Sequence, residues 1–170
     1  MKSAVCFVLL MMLSGCAMPV WETVEDTHPV VPVASWQEEA YEIEIGVPSD
    51  LALQEESADW QLYATADGTF EVETRRFLAS DLDDAVRTLS GYASDQLTIL
   101  KTTRFDLPEY QFAWLALTEQ GSRVYRAKLV MNELDCYAVV CSRAETAGTA
   151  YKEPMRQVFS TFGLYIDEGV

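Results

Sequence analysis

The run Gln111-Phe112-Ala113-Trp114-Leu115-Ala116-Leu117-Thr118, with Arg123 to Met131 and Cys136 to Ser142 behind it, decides the fold. Gln120-Gly121 and Asn132-Glu133 fall in the two gaps, so three apolar runs joined by short turns read as an antiparallel meander. In the first run, Phe112, Trp114 and Ala116 share one face by period two, and Ala113, Leu115 and Leu117 share the other. Both faces are apolar, the pattern of a central strand covered on each side. Two covers are therefore expected, one on each face of the sheet.

The covers stand on either side of the meander. Upstream, Ser80 is a candidate N-cap with Asp83 three residues on, and Asp81 and Asp84 complement the dipole of a helix start. Leu82, Ala85, Val86 and Leu89 recur at helical spacing up to Gly91, a stop signal. Downstream, Tyr151, Met155, Val158, Phe159 and Phe162 mark one face of a helix over about Ala147 to Phe162, with Pro154 early in it and Gly163 ending it. Leu97 to Thr103 reads as a strand before the meander. Further upstream, Tyr41, Ile43, Ile45 and Val47 alternate with polar residues as a half-buried strand. Trp60 to Ala64 then turns through Asp67-Gly68 into Thr69 to Thr74, with Glu71, Glu73 and Arg75 on the wet face. Runs of strands with few helices predict an α+β fold: an antiparallel sheet of about six to seven strands packed by two main helices on opposite faces.

This element order resembles the PsbP-like fold, shared by photosystem extrinsic proteins, a nuclear-import accessory factor and several small bacterial lipoproteins. The resemblance is carried by the early hairpin, the Asp-rich helix Ser80 to Gly91, the aromatic meander from Tyr110 to Val140, and the helix ending Val158-Phe159-Ser160-Thr161-Phe162. It spans roughly residues 41 to 166 and transfers no binding residue. It implies a binding or assembly module in place of an enzyme.

The N-terminal end reads differently. Lys2 precedes an apolar run from Ala4 to Leu13, too short for the ~20 residues of a membrane-spanning helix and laid out as a secretory signal. Leu13-Ser14-Gly15-Cys16 resembles the bacterial lipobox. That resemblance implies cleavage after Gly15 and a diacylglycerol thioether on Cys16, with fatty acyl chains such as palmitate fixing the protein outside the cytoplasm on a bacterial membrane. The expected organisation is a signal peptide over 1–15, a lipidated Cys16 and acidic, proline-containing tether over 16–40, and an α+β domain over 41–170. Trp21 and Trp36 sit oddly in a tether; the expectation is that one or both fold back on the domain or rest at the lipid interface, with a short partner-docking segment as the alternative.

The chain carries −15 at neutral pH, and removing residues 1–15 takes away Lys2 and no acid. Such a surface repels phosphate backbones, so nucleic acid is excluded as a partner. The expected partners are the membrane, through the N-terminal lipid, and another envelope protein or a small ligand. Of four cysteines, Cys136 and Cys141 belong to the domain. Five residues apart on one strand, they point to opposite faces with Cα atoms roughly 16 Å apart, too far for a disulfide. They are expected to be free thiols.

No catalytic residue and no cofactor motif emerges. The single histidine, His28, lies in the tether, and no G-x-S-x-G elbow, phosphate loop or CxxC pair is present. Lys101, Lys128 and Lys152 have no spacing that places them beside a serine. Asp81, Asp83 and Asp84 are the candidate metal ligands, although helix capping accounts for them without a cation. Tyr110, Phe112, Trp114, Tyr125 and Tyr137 are candidates to line a cleft, with core packing as the competing role. The reading is a non-enzymatic binding or accessory module of the cell envelope. Carboxylate-based cation chemistry and a plain envelope spacer stand as the alternatives.

Overall fold

The computed structural model describes residues 30–37, 42–104 and 106–165. Ten strands and two α-helices occur in this part: β1 (Val30–Gln37), β2 (Glu42–Pro48), β3 (Ala52–Ser57), β4 (Trp60–Ala64), β5 (Phe70–Leu78), α1 (Leu82–Ser90), β6 (Leu100–Arg104), β7 (Leu107–Thr118), β8 (Gly121–Asn132), β9 (Asp135–Ala144), α2 (Lys152–Thr161) and β10 (Gly163–Tyr165). Seven strands form one antiparallel sheet in the order β3-β4-β5-β9-β8-β7-β6. The meander β7-β8-β9 is thus present, and its last strand returns to lie against β5.

β9 shows how the layers are separated. Cys136, Ala138 and Val140 point into a core with Ala85 and Val86 of α1, while Tyr137, Val139 and Cys141 point into a core with Met155, Val158 and Phe159 of α2. Strand periodicity alone produces this division. The two helices therefore cover opposite faces, as the sequence predicts. Cys136 and Cys141 are free, fully buried, and one on each side. Burial pushes the Cys136 thiol up to about 11 and raises that of Cys141 still further. A thiolate is the reactive form. Neither residue should react with a thiol reagent until the protein is unfolded in denaturant; labelling of either in the native state would contradict this placement.

Two expectations change. A second sheet, β1-β2-β10, lies on the α2 side, where Ile43, Ile45 and Val47 complete the core. The strand β1 falls inside the stretch 16–40 read as tether, so the ordered chain begins before Tyr41. Its Trp36 packs on this core, 5.6 Å from the Tyr137 ring. Of the prolines that argued against order, Pro32 is tolerated because β1 is an edge strand, with a register shift next to it; Pro19 and Pro29 lie outside the described residues. Trp21, His28 and Cys16 lie outside the described residues. The second change concerns β7, which is next to the edge of the large sheet and not central. Phe112, Trp114 and Ala116 are covered by the α1 side, but Ala113, Leu115 and Leu117 are exposed.

The helix ends also differ in detail from the sequence reading. Asp81, not Ser80, caps α1, accepting the Asp84 amide at 2.9 Å, while the Asp84 carboxylate reaches back to the Ser80 amide at 2.9 Å. Half of a capping box is thus present, displaced by one residue, and the return bond goes to Ser80, one position before the cap. Gly91 closes the helix at φ 78°, a conformation that favours glycine. Asp81→Ala should cost about 1 kcal/mol of stability in urea unfolding. α2 starts at Lys152 after a 3₁₀ turn over Glu145–Ala147, so Pro154 sits in its first turn, where no intrahelical amide is needed. Gly163 opens β10, and Phe162 is the C-cap. Gly46 lets α2 approach the small sheet: the Thr161 hydroxyl accepts its amide at 3.0 Å, and a Cβ there would stand 2.8 Å from that oxygen. No helix among the described residues is long and apolar enough to cross a membrane.

Candidate functional site

The strand β5 alternates between the two cores. Phe70, Val72 and Thr74 point to the α2 side, so Glu71, Glu73 and Arg75 point to the α1 side. α1 is nine residues long and covers only part of that face. Beyond Leu89, the uncovered part is a cleft of about 400 Å³, lined by Trp60, Leu62, Glu71, Glu73, Arg75, Trp114 and Tyr125 among others.

Its aromatic side comes from the meander. The Trp114 and Tyr125 rings stack with centroids 5.1 Å apart and planes 8° off parallel, and Phe112 continues the stack at 5.7 Å. Trp114 is buried and Tyr125 half-buried; burial raises the Tyr125 phenol above its ordinary 10, so it stays a donor at neutral pH. Trp60, from the neighbouring strand β4, closes another side.

The polar side is a set of fixed carboxylates. Glu71 Oε2 accepts from the Ser142 hydroxyl at 2.9 Å and is ion-paired with Arg123 Nη2 at the same distance, while Arg123 donates to Ser142 Oγ at 2.8 Å. Arg123 is buried and also donates to the Gly68 carbonyl at 2.8 Å. Glu73 Oε1 accepts from the Trp60 indole and from Arg75. Each carboxylate therefore has one oxygen held by a guanidinium and a neutral donor. The two glutamates and two arginines balance, leaving the cleft locally neutral in a strongly acidic chain.

The sequence candidates distribute unevenly. Tyr110, Phe112, Trp114 and Tyr125 share the α1-side core, and the last two of these reach the cleft; Tyr137 lies on the opposite side of the sheet. Asp81, Asp83 and Asp84 do not come together around one point. Asp81 and Asp84 hold the start of α1, and Asp83 accepts from the Ser94 amide at 2.7 Å and from Arg87. Among the described residues, no group of three or more acidic, cysteine or histidine side chains is placed to hold a metal ion. Lys101 lies over the Tyr110 ring, and Lys128 donates to main-chain carbonyls of α2. Glu71, Glu73, Arg123 and Ser142 were not legible as a site: alternation marks the glutamates only as wet, and Arg123 opens its run like a surface residue.

The hydrogen bonds of Asp83 carry a pH consequence. Its carboxyl is held at about 2, chiefly by the Ser94 amide and then by Arg87; Thr65 and Thr69 hold Asp67 equally low in the β4–β5 turn. Both folded values lie below the unfolded one. Their stabilisation is complete above about pH 4 and is lost as pH falls toward 2. Replacing both residues with Asn should flatten the stability–pH curve in that window, with little change to its shape at neutral pH.

Fold and cleft together define a two-faced antiparallel α+β sandwich with an aromatic, charge-balanced recess. Among solved structures, the solution structure of cyanobacterial PsbP (CyanoP) from Synechocystis aligns with 81% of this chain and 95% of that one, at 13% identity and a TM-score of 0.54. LpqN of Mycobacterium tuberculosis, a protein involved in cell envelope biogenesis, aligns over 82% and 92% of the two chains at 14% identity, with a TM-score of 0.47. A Bacteroides thetaiotaomicron protein aligns with 76% of this chain at 14% identity and a TM-score of 0.49; the alignment spans 46% of that protein. No family model matches the chain, and no curated protein matches it by sequence. The alignment with CyanoP shows that the fold is PsbP-like, as the element order implies. At this identity the likeness concerns fold alone.

Proposed function

We propose that this chain is a lipid-anchored, extracytoplasmic binding module of a bacterial envelope, non-enzymatic, which holds a small uncharged, hydroxyl-bearing ligand in the β5 cleft. The observation that carries the reading is the half-committed state of Glu71 and Glu73, each with one oxygen held and the other without a hydrogen bond among the described residues, in a cleft that Tyr125 and Trp60 also line. A charged ligand gains little from a balanced set of two acids and two arginines. Hydroxyl groups can donate to the remaining oxygens while an apolar ring face lies on the aromatic side. Leu13-Ser14-Gly15-Cys16 supports the anchor, and Cys16 is the residue that would carry it.

Trp60 and Trp114 are natural reporters for the cleft. Titration with methyl glycosides should change the intrinsic fluorescence, and Glu73→Gln should weaken that response. A flat titration in the unmodified protein with every glycoside tried would remove this ligand class. The anchor is tested separately, by mass spectrometry of the mature N-terminus. Cys16→Ser should abolish the acyl mass and leave unprocessed precursor; an acylated variant would contradict the assignment.

A further inference from the structure

Past α2, one face of the meander is only partly covered. On the side of the sheet that α2 packs against, the register sets Leu115 beside Val124 and Arg143, with Leu117 and Arg126 two residues along their strands. Leu117 is 83% exposed and Leu115 50%. Arg126 and Arg143 have no carboxylate partner among the described residues. The Arg126 guanidinium lies over the Phe159 ring, 5.2 Å from its centroid, and Arg143 donates to the Ala144 carbonyl at 3.3 Å. By contrast, Arg75, Arg76, Arg87, Arg123 and Arg156 each pair with an acid. A chain at −15 thus keeps two arginines unpaired with acid beside two leucines in water.

This face also lies at the end of the molecule where the N-terminal chain departs. Val30 pairs with Pro48, and the Leu51 amide donates to the Pro48 carbonyl. From Ala52 the ladder crosses the large sheet through Ala64, Glu71, Ser142 and Tyr125 to Trp114, next to Leu115. Val30 is therefore at the same end of the sheet as Leu115 and Leu117. Acid gathers at the other end. There the start of α1 and the β8–β9 turn, joined by the Ala79 amide on the Leu134 carbonyl, hold Asp81, Asp83, Asp84, Glu133 and Asp135. No lysine or arginine falls within 79–84 or 132–135.

We propose that this face, through Leu115, Leu117, Arg126 and Arg143, lies on the phospholipid headgroup layer of the membrane that holds the protein. The proposal rests on the reading of Cys16 as the anchor. Fully extended, the chain from Cys16 to Val30 spans at most about 50 Å, so the end bearing Val30 is the one kept near the bilayer. The leucines enter the boundary between headgroups and acyl chains, and the guanidiniums donate to lipid phosphates. Glu119 and Glu145, in the turns that flank the face, leave it close to neutral, so it approaches phosphates that the rest of the surface repels. The acid-rich end then points away from the membrane. Because the anchor supplies a high local concentration, a contact too weak to recruit a free protein is enough to orient a tethered one.

The test uses the protein expressed with its own N-terminus and purified from membranes, its acyl mass checked first. It is reconstituted into phosphatidylcholine–phosphatidylglycerol vesicles that carry a nitroxide-labelled lipid. Leu117→Cys and Leu134→Cys each receive one fluorescent maleimide, since Cys136 and Cys141 are buried; Leu134 is 56% exposed at the acid-rich end. Quenching should be several-fold stronger at position 117 than at 134. Adding Arg126→Glu with Arg143→Glu should bring position 117 down to the level of 134, and Leu115→Glu at its exposed position should do the same, with circular dichroism unchanged. Equal quenching at the two positions in acylated protein overturns the proposal and leaves the anchor standing. Absence of the acyl mass overturns the anchor, and the proposal with it.

Discussion

Lys128→Met should lower the unfolding free energy by about 3–5 kcal/mol, the cost of removing one member of a buried ion pair. Lys128 lies on β8 beneath the end of α2 and is almost wholly buried. Its ammonium donates to the Phe162 carbonyl at 2.9 Å and lies 3.4 Å from both the Phe159 carbonyl and Glu109 Oε2. It closes carbonyls that the helix end leaves open, and it neutralises a buried carboxylate. Burial lowers its own pKa, while Glu109 opposes that shift. Methionine matches the aliphatic stem but leaves Glu109 charged in the core, where Oε1 already lacks a hydrogen-bond partner among the described residues. Urea unfolding should show a lower midpoint with an unchanged slope. Adding Glu109→Gln should recover part of the loss. A single-variant loss below about 1 kcal/mol would mean that the pair behaves as a solvated one.

Arg123→Met should cost about 3 kcal/mol, the lower end of the same range, because Glu71 keeps 28% of its side chain in water. The guanidinium joins three elements: Glu71 on β5, Ser142 on β9 and the Gly68 carbonyl of the β4–β5 turn. Its removal should also loosen that turn, seen as faster amide exchange at Thr65 and Phe70, which bond across it. The cleft should respond through Glu71, freed from its cation, so any ligand bound there should be held differently. Unchanged exchange in the turn would show that Asp67 and Thr65 hold it without Arg123.

Much of this architecture was legible because the strands with a strong pattern are the buried ones. β9 is apolar on both faces, and its two cysteines were separable by parity alone. The elements that escaped were those without a pattern. β3, Ala-Leu-Gln-Glu-Glu-Ser, is exposed throughout and shows no alternation. β1 carries Pro32, and the three residues of β10 are too few for any periodicity. The stretch of β7 from Phe112 to Thr118 misled in the other direction. Its two apolar faces imply two covers, yet the α2 layer does not reach Leu115 and Leu117. The cleft escaped because it is built by tertiary pairing: Glu71 acquires meaning only beside Arg123 and Ser142, 52 and 71 positions further on.

The join between Gly46 and Thr161 spans 115 positions of sequence, and β10 completes the small sheet from beyond it. A chain growing from its N-terminus therefore makes β1 and β2 long before their apolar sides have anything to rest on. Only after the last helix emerges from the ribosome can the first two strands be sealed. Such distant closure slows folding.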